Sequence, residues 1–205
     1  MPRILLVRHG ETEKKSSTRY WGRTDVNLGA AGLRQAEQLR DRLATEKIDY
    51  VYTSGLRRAV LTARTIAGIH AIQEVQCPEL REIDFGLIEG LDFEEVKKQF
   101  PEVAQMWIGR NPELCYPQGE SLAQLDTRLA SFKQRLSGHA PDAVILVVAH
   151  SGVLRTLICQ ILGLETRNRW NFRIDLASLS IIDTFNNLAV MSLLNDTSHL
   201  VDNCR

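Results

Sequence analysis

The sequence predicts an α/β fold, a three-layer sandwich with a mostly parallel central sheet and a small helical lid insertion. Three observations carry this expectation. Ile4-Leu5-Leu6-Val7 and Ala143 to Ala149 are continuous apolar runs of strand length, as expected of strands buried on both faces. Segments with apolar residues at helical spacing alternate with the strands in the order βαβα…βαββ, which favours parallel strands joined by crossover helices. A length of 205 residues, 44% hydrophobic and 24% charged, suits one globular domain spanning 1–205.

The elements follow in order. After the first strand, Gly10 to Leu28 is polar and irregular. Ala30 to Thr45 reads as a helix, with Leu33, Ala36, Leu39, Arg40 and Leu43 at helical spacing. Tyr50-Val51-Tyr52-Thr53 is a short strand, and Leu56 to Ala67 a helix that Gly68 suits as a C-terminal end. Ala71 to Val75 is a candidate third strand. Residues 82–120 carry Gly, Pro and two short helical patterns, Phe93–Phe100 and Val103–Ile108, and read as an inserted lid at about 87–120. Ser121-x-x-Gln124 is a capping box that opens a helix to about Leu136. Beyond the apolar strand, Val153–Leu162 is a helix closed by Gly163. Leu179–Thr184 and Leu188–Leu194 are strands joined by Asn186-Asn187.

Charge excludes some classes of function. The 25 basic and 25 acidic residues cancel, which removes the electrostatic case for a nucleic-acid or anionic-membrane partner. The distribution is uneven: +5 over 1–75, −7 over 76–126 and +2 over 127–205. Cys77, Cys115, Cys159 and Cys204 are widely spaced, with no zinc-ligand spacing, so no metal or cofactor is expected. The first apolar segment ends at Arg8, too short for a signal peptide or membrane span, so a cytoplasmic protein is expected.

Two strands end alike. The first runs into Arg8-His9-Gly10-Glu11-Thr12 and the later apolar strand into His150-Ser151-Gly152. Sheets of this kind bind ligands at the carboxyl ends of their strands. His150 also precedes a helix N-terminus, whose free N–H groups attract anions. Arg57 and Arg58 fall in the first turn of a helix, where a cation opposes the dipole. Arg57 reads as solvated, which leaves Arg58 as the candidate.

These residues resemble the signature of the histidine phosphatase superfamily, the phosphoglycerate-mutase-like proteins. Further blocks are similar: Gly22-x-x-Asp25, Leu28 and Gly32-x-x-Gln35-Ala36; Thr53-Ser54-x-Leu56-x-Arg58-Ala59-x-x-Thr62-Ala63; Leu80-x-Glu82-x-x-Phe85-Gly86-x-x-Glu89-Gly90; and Gly119-Glu120-Ser121. The matches are collinear over residues 3–152. The resemblance implies that His9 attacks phosphorus to give a phosphohistidine. It implies that Arg8, Arg58 and His150 bind phosphoryl oxygens, and that Glu82 protonates the leaving alkoxide and then activates water. The chemistry is consistent with these roles. A nucleophilic imidazole must be neutral at the attacking nitrogen. A planar guanidinium pairs with two oxygens at once. Phosphoryl transfer depends on positioning and charge, with no metal required if enough cations surround the phosphate. Asp84 would raise the pKa of Glu82 if both faced the site. Gly22, Ser151 and Trp21 are candidate substrate contacts. So is Lys15, which stands where many family members have Asn.

The expected partner is a small phosphorylated metabolite. Between 83 and 120, Lys97, Lys98 and Arg110 face Asp84, Glu89, Asp92, Glu94, Glu95, Glu102, Glu113 and Glu120. That is a poor pocket for a second anionic group, so hydrolysis of a monoester is favoured over a mutase. Tyr20, Trp21, Trp107, Ile108 and Tyr116 could form a stacking wall. The block from Trp170 to Asp175 through Asn195-Asp196 resembles the α-ribazole phosphatase branch of cobalamin synthesis. The alternatives are a broad-specificity sugar or nucleotide phosphatase, a phosphoglycerate mutase and a non-catalytic phospho-ligand binding module. Leu179–Leu194 could offer a sheet edge for a homodimer.

Overall fold

The computed structural model describes residues 2–14, 19–185 and 188–201, so Lys15 and the expected turn at Asn186-Asn187 lie outside the described residues. The chain runs β1 (Arg3–Arg8), α1 (Ala30–Arg42), β2 (Tyr50–Thr53), α2 (Arg57–Ala67), β3 (Val75–Gln76), α3 (Phe93–Gln99), α4 (Pro101–Ile108) and α5 (Leu122–Ser137). It continues through β4 (Val144–Ala149), α6 (Ser151–Ile161), β5 (Leu179–Phe185) and β6 (Leu188–Asp196). The fold is α/β with a mostly parallel sheet, as the alternation of elements predicts. The strand order is β3-β2-β4-β1-β5-β6; β5 is antiparallel to both of its neighbours and the other pairings are parallel.

The two central strands show why the sheet is covered on both faces. In β1, Ile4 and Leu6 join one core cluster while Leu5 and Val7 join the other. In β4, Ile145 and Val147 are separated in the same way from Leu146 and Val148. Alternate side chains leave a strand on opposite faces, so a continuous apolar run needs cover on both sides. Leu39, Ala59 and Ala63 of α1 and α2 pack on the Leu5 face. Leu125, Leu129, Phe132, Leu154 and Leu157 of α5 and α6 pack on the Ile4 face, together with residues of α3 and α4.

Helix ends follow their local chemistry. Ser121 and Gln124 form the reciprocal capping box at the start of α5, and Asp92 and Glu95 form another at the start of α3. At the end of α6, Gly163 takes φ +69°, its N–H reaches Gln160 O, and the Leu164 N–H reaches Cys159 O. These are the two bonds of a Schellman ending.

α2 ends at Ala67 with Gly68 as its cap, as expected, and a right-handed 3-10 turn carries the chain on to His70, where Ala71 takes the left-handed φ of 54°. Two local expectations are corrected. The third strand is therefore displaced from 71–75 to Val75–Gln76, where it pairs with Tyr52 and Thr53. Leu33 is 47% exposed, because the inward stripe of α1 is Gly32, Ala36 and Leu39.

Candidate active site

The sheet register brings the two histidines together. β1 and β4 are parallel neighbours with Arg8 opposite Ala149, so the next residues, His9 and His150, leave the sheet side by side. Their ring centroids are 5.0 Å apart. The chain after β1 joins α1 on one face, and the chain after β4 enters α6 on the other. The crevice opens where neighbouring connections diverge, as in other open sheets of this class. β2, on the other side of β4, delivers Arg58 in the first turn of α2.

The loop after β1 is held by residues of the recurring blocks. Gly10 N–H donates to Thr62 Oγ1 at 3.2 Å, and Glu11 N–H to Gln35 Oε1 at 2.8 Å. A side chain at Gly32 would put its Cβ 1.9 Å from Glu11 O, so only glycine lets α1 approach this loop.

His9 is 7% exposed and its Nδ1 lies 2.8 Å from Gly10 O. A carbonyl only accepts, so Nδ1 carries the proton and Nε2 presents a lone pair. Burial holds the imidazole well below its ordinary pKa, helped by the charges of Arg58 and Arg8. The ring is thus neutral, with a free lone pair on Nε2. His150 is fully buried and its pKa is lowered for the same leading reason, desolvation, followed by Arg58. Its Nδ1 accepts from Arg58 Nε at 3.3 Å, which leaves Nε2–H to donate to Ser54 Oγ at 2.8 Å.

A cavity of about 1010 Å³ lies over this corner. Arg8, His9, Arg58, Glu82, Ser151 and Trp21 line it, which brings six of the expected site residues together. Arg8 donates from Nη1 to Ile174 O at 2.7 Å, and its buried Nε has no acceptor among the described residues. Burial lowers its pKa to about 10. Glu82 is 8% exposed; its Oε2 accepts from Gly152 N–H in the first turn of α6 at 3.2 Å, and its Oε1 from its neighbour Ile83 N–H.

Other expected contacts are placed elsewhere. His150 is not a lining residue: it lies behind the cavity wall with both ring nitrogens engaged. Gly22 is not one either; its N–H donates to the Glu89 carboxylate and its carbonyl accepts from Arg58 Nη2 at 2.7 Å. Arg58, only 1% exposed, also donates to Thr24 O at 2.8 Å and to Trp21 O at 3.4 Å. Much of its fork therefore holds the first loop. Ile108 is 66% exposed and stands outside the aromatic wall. Asp84 is also absent from the lining, because its carboxylate accepts from Gly86 N–H; Arg8, Arg58 and Arg155 are the charges that act with Glu82. Lys15 lies outside the described residues. Arg57 is exposed and paired with Asp25, as its solvated reading implies.

The aromatic wall is broader than the sequence indicated. Trp107 lies 4.5 Å from Tyr20, 5.7 Å from Tyr116 and 6.4 Å from Trp170, measured between ring centroids. Lys14 Nζ stands 4.3 Å over the Trp21 ring. The expectation of a pocket poor in cations is also corrected. Of the acidic residues between 83 and 120 only Asp92 and Glu94 line the cavity, while Arg19, Arg155 and Arg169 join it from outside that segment. Charge counted along the sequence missed this, because the lining is drawn from distant segments.

The chain is similar to known phosphatases over nearly its whole length. Phosphoserine phosphatase 1 of Hydrogenobacter thermophilus is 33% identical over 98% of this chain and 95% of its own length. The adenosylcobalamin/alpha-ribazole phosphatase of Escherichia coli is 32% identical over 98% of this chain and 99% of its own. The crystal structure of the alpha-ribazole phosphatase from Shigella flexneri superposes with a TM-score of 0.87 at 31% identity, covering 95% of this chain and 96% of that one. Among the described residues, no helix is long and apolar enough to cross a membrane. The sequence model of the histidine phosphatase superfamily (branch 1) matches residues 4–197, and the chain belongs to that family as a phosphoric monoester hydrolase.

Proposed function

We propose that the enzyme hydrolyses a small phosphomonoester through a phosphohistidine on Nε2 of His9. The observation that carries the reading is the His9 tautomer. The Gly10 carbonyl fixes the proton on Nδ1, and burial beside two arginines keeps the ring neutral, so a nucleophilic lone pair lines the cavity. His9 Nε2 attacks phosphorus, the phosphorus–oxygen bond of the ester breaks, and the Glu82 carboxyl group gives its proton to the departing alkoxide. Glu82, now a carboxylate, takes a proton from water as that water attacks the phosphohistidine. Phosphate leaves and His9 is restored.

Arg8, whose guanidinium lines the cavity, and the first turn of α6 at Ser151 supply donors to the phosphoryl oxygens. Arg58 contributes charge while its N–H groups hold the first loop and orient His150. His150, engaged by Arg58 and Ser54 and packed beside the His9 ring, positions the nucleophile from behind. The organic part of the substrate lies against Trp107, Tyr20 and Trp170.

The test is phosphate release from α-ribazole phosphate, phosphoserine, sugar phosphates, nucleotides and 3-phosphoglycerate. Turnover of at least one is expected with wild type, and a loss of at least a thousandfold with His9→Ala while the fold survives. Undiminished release by that variant would refute the mechanism. Transfer to a second hydroxyl without phosphate release would assign a mutase instead.

A further inference from the structure

We propose that the ion pair of Arg128 and Glu120 is a clamp that holds Glu82 at the cavity, which makes Arg128 a positioning residue for the proton donor. The inference rests on the reading of Glu82 as proton donor given above and adds what fixes its place.

Glu82 lies in a stretch without helix or strand, between the 3-10 turns Pro78–Leu80 and Gly86–Ile88. No ladder fixes such a backbone, so its polar groups need other partners. Arg128, in the second turn of α5, supplies them. Its Nη1 donates to the carbonyl of Glu79, and its Nη2 donates to the carbonyl of Glu82 itself at 3.4 Å. The same guanidinium grips Glu120, from Nε to Oε1 at 2.6 Å and from Nη2 to Oε2 at 2.8 Å. A planar fork of five N–H groups can take a carboxylate on one edge and still reach two carbonyls.

Glu120 closes the other side of the segment. Its N–H donates to Asp84 O at 2.9 Å, and the Asp84 N–H donates back to its Oε2 at 3.4 Å. The approach leaves no room for a side chain: a Cβ at Gly119 would lie 2.4 Å from Asp84 O. Arg128 thus holds the chain at Glu79 and Glu82, Glu120 holds it at Asp84, and the two holders are locked to each other.

Neither Arg128 nor Glu120 lines the cavity, so the pair acts on the reaction through Glu82. Their side chains are 16% and 10% exposed. An ion pair so nearly buried adds little net stability over apolar side chains of the same volume; its contribution is geometric. A general acid must stand within about 2.6–3.2 Å of the atom it protonates. The Glu82 carboxylate is otherwise tied only by the N–H groups of Gly152 and Ile83, among the described residues.

The experiment measures kcat/KM on p-nitrophenyl phosphate and on an alkyl phosphate that wild type turns over. The variants are Arg128→Lys and the pair Arg128→Met/Glu120→Gln, with denaturant midpoints as the control for folding. The paired change removes both charges, so no buried carboxylate is left uncompensated. It should cost the alkyl ester about 10-fold or more and the nitrophenyl ester less than about threefold. Arg128→Lys keeps a charge for Glu120 but cannot span both carbonyls, so it should show the same pattern more weakly and carries the test if the paired variant does not fold. In a Glu82→Gln background the same changes should cost the alkyl ester less than about threefold further, because a positioning residue acts only through the group it positions. Equal losses on the two esters, or the full alkyl-ester loss repeated in the Glu82→Gln background, would overturn the proposal. Failure of the proton-donor reading would appear separately, as equal loss on both esters by Glu82→Gln alone.

Discussion

Gly152→Ala tests the approach of Glu82 to α6 without removing a polar group. A Cβ at this position would lie 2.8 Å from Glu82 Oε1 and 2.7 Å from Ile83 Cδ1. Restoring an ordinary contact of 3.4 Å moves the carboxylate by about 0.6 Å, the difference between 3.4 and 2.8. The Gly152 N–H to Oε2 bond, already 3.2 Å, would then lengthen or break. Alanine is the better helix former by roughly 1 kcal/mol, which offsets part of the packing cost, so stability should change by about 1 kcal/mol or less. A displacement of this size at a proton-transfer group can cost up to about 100-fold in rate. The loss should depend on the leaving group. An alkyl phosphate needs the proton from Glu82 and should lose about 10–100-fold in kcat/KM, which reports the phosphorylation step alone, within the usual contribution of general acid catalysis. p-Nitrophenyl phosphate, whose leaving group departs as a stable anion, should lose only a few-fold. Steady-state kinetics on both esters, with thermal melting as the control for folding, make the measurement. Equal losses on the two esters, or no loss on the alkyl ester, would refute the assignment of Glu82 as proton donor.

Other perturbations test neighbouring parts of the account. His9 and His150 are held neutral by burial, so below about pH 6.5 the unfolded chain binds protons that the folded chain does not. Stability should therefore fall with pH, by about 1.4 kcal/mol per unit for each ring below the unfolded pKa. Urea unfolding between pH 7.5 and 5 should show this slope and His150→Asn should reduce it; an unaltered slope would contradict the buried neutral state. Arg58→Met removes donors from the carbonyls of Trp21, Gly22 and Thr24 and should cost on the order of 3 kcal/mol, read as a lower denaturant midpoint, together with activity. A stable but inactive variant would show that Arg58 serves the phosphoryl group alone. Trp107→Ala opens the aromatic wall and should raise KM more than it lowers kcat; a pure kcat loss would place the ring elsewhere in the mechanism.

The fold was legible because its central strands are apolar without interruption and its helices carry capping and termination signals. Strand and helix periodicity located β1, β2, β4, β5 and the flanking helices within a few residues. β3 was displaced because it is two residues long with both side chains exposed, and carries no apolar pattern to read. His9 and Arg8 were visible from one strand end, and the parallel register explains why His150 belongs beside them. The environment of Glu82 was not legible. Asp84 is close in sequence but turns toward Gly86, whereas Arg8 and Arg155 are far away in sequence and close in space. Arg155 itself gave no signal, since an arginine one turn into an apolar helix looks like a solvated residue until the cavity is known. Gly22 looked like a ligand contact because it falls in a recurring block, but its backbone is used by Glu89 and Arg58.

The central claim is that phosphorus passes through Nε2 of His9. Wild-type enzyme mixed with a 32P-labelled ester that it turns over, and quenched during turnover, should carry label that is acid-labile and stable to alkali. Peptide mapping should place it on the peptide containing His9, and His9→Ala should carry none. Label that persists in His9→Ala, or its absence from wild type quenched on the timescale of a single turnover, would contradict the account.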